Sequence, residues 1–182
     1  MAPPAASVEE LLALAIRHVN AGQRERAGVL CELAATAHPP HPAVQQLLAV
    51  LSLQDGDAAR ALRHTEASLA LRPGHAPTLA IAADAWFRLA LMKQDARDLE
   101  GAAQALHEVL RLMPERAEAA VNLGIVLQES GRIDAALRAY GQAYRLHEDS
   151  FGRIAHALAA ANVGRLWLDL DALRATLRAT PV

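Results

Sequence analysis

Three prolines and three glycines fall in step along this chain. Pro39 closes "ALAIRHVNAGQRERAGVLCELAATAHP", Pro73 closes "LLAVLSLQDGDAARALRHTEASLALRP" and Pro114 closes "LEGAAQALHEVLRLMP". From Pro39 to Pro73 the step is 34 residues, enough for two short helices and their turns. Gly22, Gly56 and Gly131 share one place in these units, between the two helices. Ala27, Ala61, Ala102 and Ala136 share another, early in each second helix. Such a chain folds unit by unit. Each unit buries only part of its apolar surface until a neighbour covers the rest, so at least three are needed.

Composition says what the units are made of. Hydrophobic residues make up 53% of the 182 positions and aromatics only 3%. Ala and Leu supply most of that fraction, which favours helix over strand. Small residues also let helices approach closely. In "NLGIVLQESGRIDAALRAYGQAY", residues 122–144, Gly124 and Ala136 belong where the two helices of a unit cross. Leu123, Leu127 and Tyr140 fill the space around that contact. The matching positions are Leu14, Ala15 and Ala27 in the first unit, and Leu48, Ala49 and Ala61 in the second.

These residues resemble the tetratricopeptide repeat. Asn122, Leu123, Gly124 and Leu127 are similar to the first-helix core of that motif. Ala136, Tyr140 and Ala143 match its small–aromatic–small second helix, and the closing prolines its turn between repeats. The resemblance covers nearly the whole chain. It implies an all-α, right-handed superhelical solenoid of about five antiparallel helix pairs, the last degenerate. The expected organisation is a disordered tail at 1–7 and an array over 8–163. Its units are 8–41, 42–75, 76–116 and 117–150, followed by the start of a degenerate unit at 151–163. A capping helix at 164–182 closes the chain. Departures are plain: the usual first-helix tryptophan is replaced by Leu11, Gln45, Leu79 and Ala120, and the third unit carries a surplus near 92–98. That surplus is either a longer helix pair or a longer loop. At the end, Trp167 and Leu168 precede Asp169, a helix-capping residue type. Leu170, Leu173 and Leu177 are expected to face inward, with Asp171, Arg174, Thr176 and Arg178 turned to water.

Most chemistry finds no support. A net charge of −2, with no basic run, argues against nucleic acid as a partner. No apolar run reaches the ~20 residues of a membrane span, and no basic segment precedes the first apolar stretch. The chain therefore reads as soluble, cytoplasmic and without membrane attachment. The single Cys31 lies in a helical apolar pattern and reads as a buried structural thiol. Among eight histidines, only His38 and His41 stand close, and two prolines separate them. No metal site, cofactor or catalytic residue is expected. There is no nucleophile motif and no phosphate-binding glycine loop.

What remains is protein binding. In proteins similar to this, the first helices line a concave groove that holds a peptide or a partner helix. The stripe left over after the pair contacts carries Leu12, Ile16, Val19, Val50, Leu53, Phe87, Val121 and Ile125 as apolar candidates. Asp84, Arg88, Asn122 and Glu129 are the polar guides. Leu47 and Ile81 fit either that groove or the packing between units. The basic clamp that some family members use for carboxylate tails is not matched, because these helices offer Arg17 and Arg88 but no such set of lysines. An apolar groove suits an amphipathic helix or an extended hydrophobic segment. Self-association into a homo-oligomer, or service as the regulatory companion of an enzyme, is the alternative.

Overall fold

The computed structural model describes residues 6–160 and 169–180, and among these every regular element is a helix. They form two compact units, one up to Ala85 and one from Trp86 onward. The first unit holds α1 (Val8–Asn20), α2 (Arg24–Ala37), α3 (Pro42–Gln54) and α4 (Ala58–Leu71), with the opening half of α5 (Ala76–Asp95). The second holds the rest of α5, then α6 (Leu99–Leu112), α7 (Ala117–Glu129) and α8 (Ile133–Leu146). A 3₁₀ turn at Glu148–Ser150, α9 (Phe151–Ala160) and α10 (Leu170–Ala179) complete it.

Local chemistry sets the ends of these helices. Ser7 caps α1: its hydroxyl accepts from the Glu10 N–H at 3.2 Å, and the Glu10 carboxylate accepts from the Ser7 N–H at 2.9 Å. Asp57 and Asp98 accept in the same way from Arg60 and Gly101 at the starts of α4 and α6. The turn inside each pair is built identically four times. The N–H groups of Gln23, Asp57, Asp98 and Arg132 reach back to the carbonyls of His18, Ser52, Lys93 and Leu127. This closure needs a left-handed residue just past the helix. Gly22, Gly56 and Gly131 supply it at φ +73°, +82° and +77°. In the third turn the residue is Arg97, at φ 61°. A side chain there costs roughly 1 kcal/mol that glycine does not incur. Arg97→Gly is therefore expected to raise stability by about 0.5–1 kcal/mol in urea unfolding, provided the weak, exposed contact of Arg97 with Glu129 adds little.

The crossings are as tight as the small residues suggest. Ala15, Ala27, Ala49 and Ala61 have no accessible surface, and Ala136 has 1%. In the first unit, Leu11, Cys31, Val44, Leu48 and Leu51 pack with Ala15, Ala27 and Ala34 as one core. Leu53, Ala61 and Ala85 form a second core, against which Leu62 and Ile81 lie. In the second unit the Tyr140 ring lies directly over Gly124, where any β-carbon would collide with it. The phenol is fully buried and donates to Gln128 Oε1 at 2.8 Å.

Helix α5 accounts for the surplus length of the third repeat. It runs twenty residues, whereas α1, α3 and α7 each run thirteen. The second helices α2, α4, α6 and α8 all have fourteen. Residues 92–95 are helical, and the turn at 96–98 is the ordinary one. The seven extra residues add about two turns, which shift the facing by only ~20°. Counted back from the turn, Ala90 stands where Gly124 stands in the next repeat, and it is 1% exposed.

Helix α10 docks along α8. Leu173 and Leu177 are buried, but Leu170 is 51% exposed, contrary to the inward position expected of it. It occupies the first position of the helix, a turn before the docked stretch. Arg178 is exposed as expected and Arg174 is half-buried, and both also engage the protein. The Arg174 guanidinium lies 4.2 Å from the Phe151 ring centre. Arg178 donates to the Tyr144 hydroxyl and to Glu148, each at 3.1 Å. Asp169 caps the helix, accepting from Asp171 and Ala172. Trp167 and Leu168 lie outside the described residues.

Candidate partner-binding surface

Spacings of four and three put Leu12, Ile16 and Val19 on one side of α1. Ile16 is 44% exposed, while Leu12 and Val19 are half-buried and rest against the first core. On α3, Val50 is half-buried and Leu47 packs against that same core. Leu53 is buried within the second core, and Ile81 packs beside it. Leu53 is thus a packing residue and not an open one. Asp84 is exposed on α5.

The second unit divides its candidates in the same way. Val121 is 1% exposed and lies in the core. Phe87 is also buried, and the Arg116 guanidinium stacks on its ring at 4.6 Å. Both contribute packing where an open face had been expected. The reason is general: a helix covered on two sides carries apolar residues on both, and spacing alone does not separate them. Ile125 is half-buried, and Arg88 is exposed. Asn122 is half-buried and donates to the Glu118 carbonyl one turn back at 3.0 Å. Glu129 accepts from Gln94 at 3.1 Å and Arg97 at 3.4 Å, so it links α7 to the end of α5.

The titratable groups inside the molecule are arranged for packing. Burial, and then Glu32 beside it, pushes the Cys31 thiol up to about 11, where the reactive thiolate is scarce at neutral pH. Burial likewise drives the Tyr140 phenol upward. His64 is shifted down, first by burial and then by Arg60, and bonds through Nδ1 to Gln45 at 2.8 Å. His38 and His41 serve separate ends: His38 Nε2 lies 3.0 Å from the Ala6 carbonyl, and His41 precedes α3. A depression of about 740 Å³ in the first unit is lined by Arg24, Arg26, Glu32, Asp55 and Arg60. The Arg60–Glu32 pair spans it at 2.6 Å. Among the described residues no three His, Cys, Asp or Glu side chains gather as a metal-ligand set. None of the described helices is long and apolar enough to cross a membrane.

One apolar surface was not anticipated. Val29 is 69% exposed and Leu33 49%, one turn apart on α2. The signal was available in the chain. At the place of Val29 the other second helices carry Arg63, Gln104 and Arg138, and at the place of Leu33 they carry Ala67, Glu108 and Gln142.

Antiparallel helix pairs on a 34-residue period and small residues at every crossing define a helical repeat protein. The profile of the tetratricopeptide repeat family matches residues 93–161. A search of curated proteins gives no match. Among solved structures it is similar to one titled as the crystal structure of MamA, with 17% identity and a TM-score of 0.58 over 90% of this chain and 87% of that one. A MamA structure labelled AMB-1 shares 21% identity, with a TM-score of 0.56 over 84% and 81%. The Cut9–Hcn1 hetero-tetramer of the APC/C gives 17% identity and a TM-score of 0.53, covering 84% of this chain but only 30% of that one. At these identities the likeness shows the fold: all-α, built of antiparallel helix pairs.

Proposed function

We propose that this chain is a non-catalytic protein–protein interaction module, an adaptor or assembly factor that holds an amphipathic helix or an extended apolar segment of another protein. The observation that carries this reading is Ile16. It is a large aliphatic side chain 44% exposed between half-buried Leu12 and Val19, on the first-helix side that faces partners in the tetratricopeptide repeat family. Val50 of α3 extends the apolar character within the first unit. In the second unit Ile125 takes the same role on α7, with Asn122 and Glu129 giving a bound segment its direction. Asp84 and Arg88 supply further polar guides, each within its own unit. Leu53, Phe87 and Val121 support these faces from below.

The test is affinity capture from native lysate with wild type, Ile16→Glu and Ile125→Glu, each checked for unchanged helicity by circular dichroism. A carboxylate in a buried apolar contact is expected to lower the retained partner by at least about tenfold. A partner held equally well by wild type and both variants would sink the assignment of these faces.

A further inference from the structure

The second helix of the first repeat departs from its three counterparts in one respect. At three adjoining positions it carries Val29, Leu30 and Leu33, where they carry Arg63, His64 and Ala67; Gln104, Ala105 and Glu108; or Arg138, Ala139 and Gln142. No other second helix has a large aliphatic residue at any of the three. Val29 and Leu33 are 69% and 49% exposed, and Leu30 is half-buried. Leu14 of α1 joins them. It is half-buried, as is Leu89 at the same place in the third repeat, whereas Leu48 and Leu123 are 3% and 4% exposed. Leu14, Val29 and Leu30 line an open depression of about 420 Å³ with His18, Glu25 and Arg26, and Leu33 lies one turn further along α2. The solvent-facing side of a surface helix is ordinarily polar. This one is the reverse.

We infer that this α1–α2 face is a self-association surface, occupied by the same face of a second copy of the chain. Two features point to a copy. First, the rim carries both signs within one turn, Glu25 beside Arg26, with His18 across from them on α1. Second, the face consists of two antiparallel helices with their apolar residues at equal height: Leu14 opposite Val29 and Leu30, and His18 opposite Glu25 and Arg26. A two-fold axis running along the helices sets α1 of each copy antiparallel to α2 of the other. The product is a four-helix bundle with antiparallel neighbours throughout. Leu14 then meets Val29 and Leu30 of the second copy, and the Glu25 carboxylate comes opposite the His18 imidazole. One self-complementary patch is closed twice over by the same contacts. The face lies on the opposite side of α1 from Leu12, Ile16 and Val19, about half a turn away, so self-association leaves the proposed partner face open.

The test is sedimentation velocity of the purified chain over a range of concentrations, comparing wild type, Val29→Glu/Leu33→Glu and Ile16→Glu. All three positions are exposed or nearly so, and circular dichroism checks that the variants keep their helicity. Wild type and Ile16→Glu are expected to pass from one copy to two as concentration rises. The α2 double variant is expected to stay a single copy to concentrations at least about 100-fold higher, since it places like charges in the apolar centre of the contact. A wild type that remains a single copy throughout overturns the inference, and the face then belongs to a different protein. A dimer that survives Val29→Glu/Leu33→Glu unchanged overturns it equally. Loss of the dimer on Ile16→Glu alone would assign it to the other side of α1. Because the readout is the mass of the pure chain, it is independent of whether Ile16 holds a foreign partner.

Discussion

Gly124→Leu is expected to lower the unfolding free energy by about 2–3 kcal/mol, and Gly124→Ala by about 1–2 kcal/mol. The cause is contact, not backbone conformation. The residue sits inside α7, its φ is ordinary, and a β-carbon there collides with the Tyr140 ring. That ring has no room to yield, being fully buried and tied through its hydroxyl to Gln128. Gly28 provides the control. It also lies inside a helix, α2, yet a β-carbon at that position meets nothing within 4 Å. Gly28→Ala should therefore stabilise by up to about 1 kcal/mol, through helix propensity and a less flexible unfolded chain. One chemical change thus has opposite signs at two helical glycines, and urea denaturation of both variants reads it directly. If Gly124→Ala also stabilises, the close crossing of α7 and α8 is wrong. A double-mutant cycle sharpens the result. Gly124→Ala combined with Tyr140→Leu should cost less than the sum of the single changes by about 1 kcal/mol, because the smaller side chain makes room for the methyl group.

The same crossing shows why so much of the fold was legible. Helices meet closely only where both lack bulk, so Gly124 and Ala136 mark a contact that spacing alone makes visible. Positive-φ glycines mark the turns for an equally direct steric reason. Arg97 hid the third turn, because nothing in its side chain announces a left-handed backbone. The lengthened α5 was ambiguous for a different reason: seven residues are close to two full turns, so the apolar pattern on either side stays in phase whether the insert is helix or loop. The candidate surface was harder to read. Ile16 and Val121 both look like members of an apolar stripe, yet one is 44% exposed and the other 1%. The difference lies in what packs across them, and a stripe on one helix carries no record of its neighbour. Val29 and Leu33 were readable only by comparing second helices with one another, since each alone is an ordinary helical residue.

The other large effect is expected at Gly141, on the face of α8 that receives α10. A β-carbon there would lie 2.9 Å from the Leu177 carbonyl oxygen and 3.3 Å from the Thr180 Cβ. The first of these is backbone, which no rotamer change moves aside. Gly141→Val should therefore lift α10 from α8 and leave the α7–α8 pair in place, since Tyr140, Ala136 and Leu123 are packed on the other side of it. What α10 loses is specific. Leu173 and Leu177, at 1% and 0% exposure, come out of contact. The two bonds from Arg145 Nη1 to the carbonyls of Leu177 at 3.1 Å and Thr180 at 2.6 Å are broken. Those bonds place a cation at the negative end of the helix dipole as well as satisfying terminal carbonyls. A ten-residue helix has little stability without such docking. Hydrogen exchange is the measurement: amides of 173–179 should lose protection by about 100-fold or more, while those of 123–127 and 136–144 change little. Arg145→Ala should produce a smaller loss in the same amides, because it removes the bonds and keeps the apolar contact. If α10 keeps its protection in Gly141→Val, the helix is held by something other than its seat on α8. If α7 and α8 lose theirs together with it, α10 is an integral part of that core and not a cap upon it.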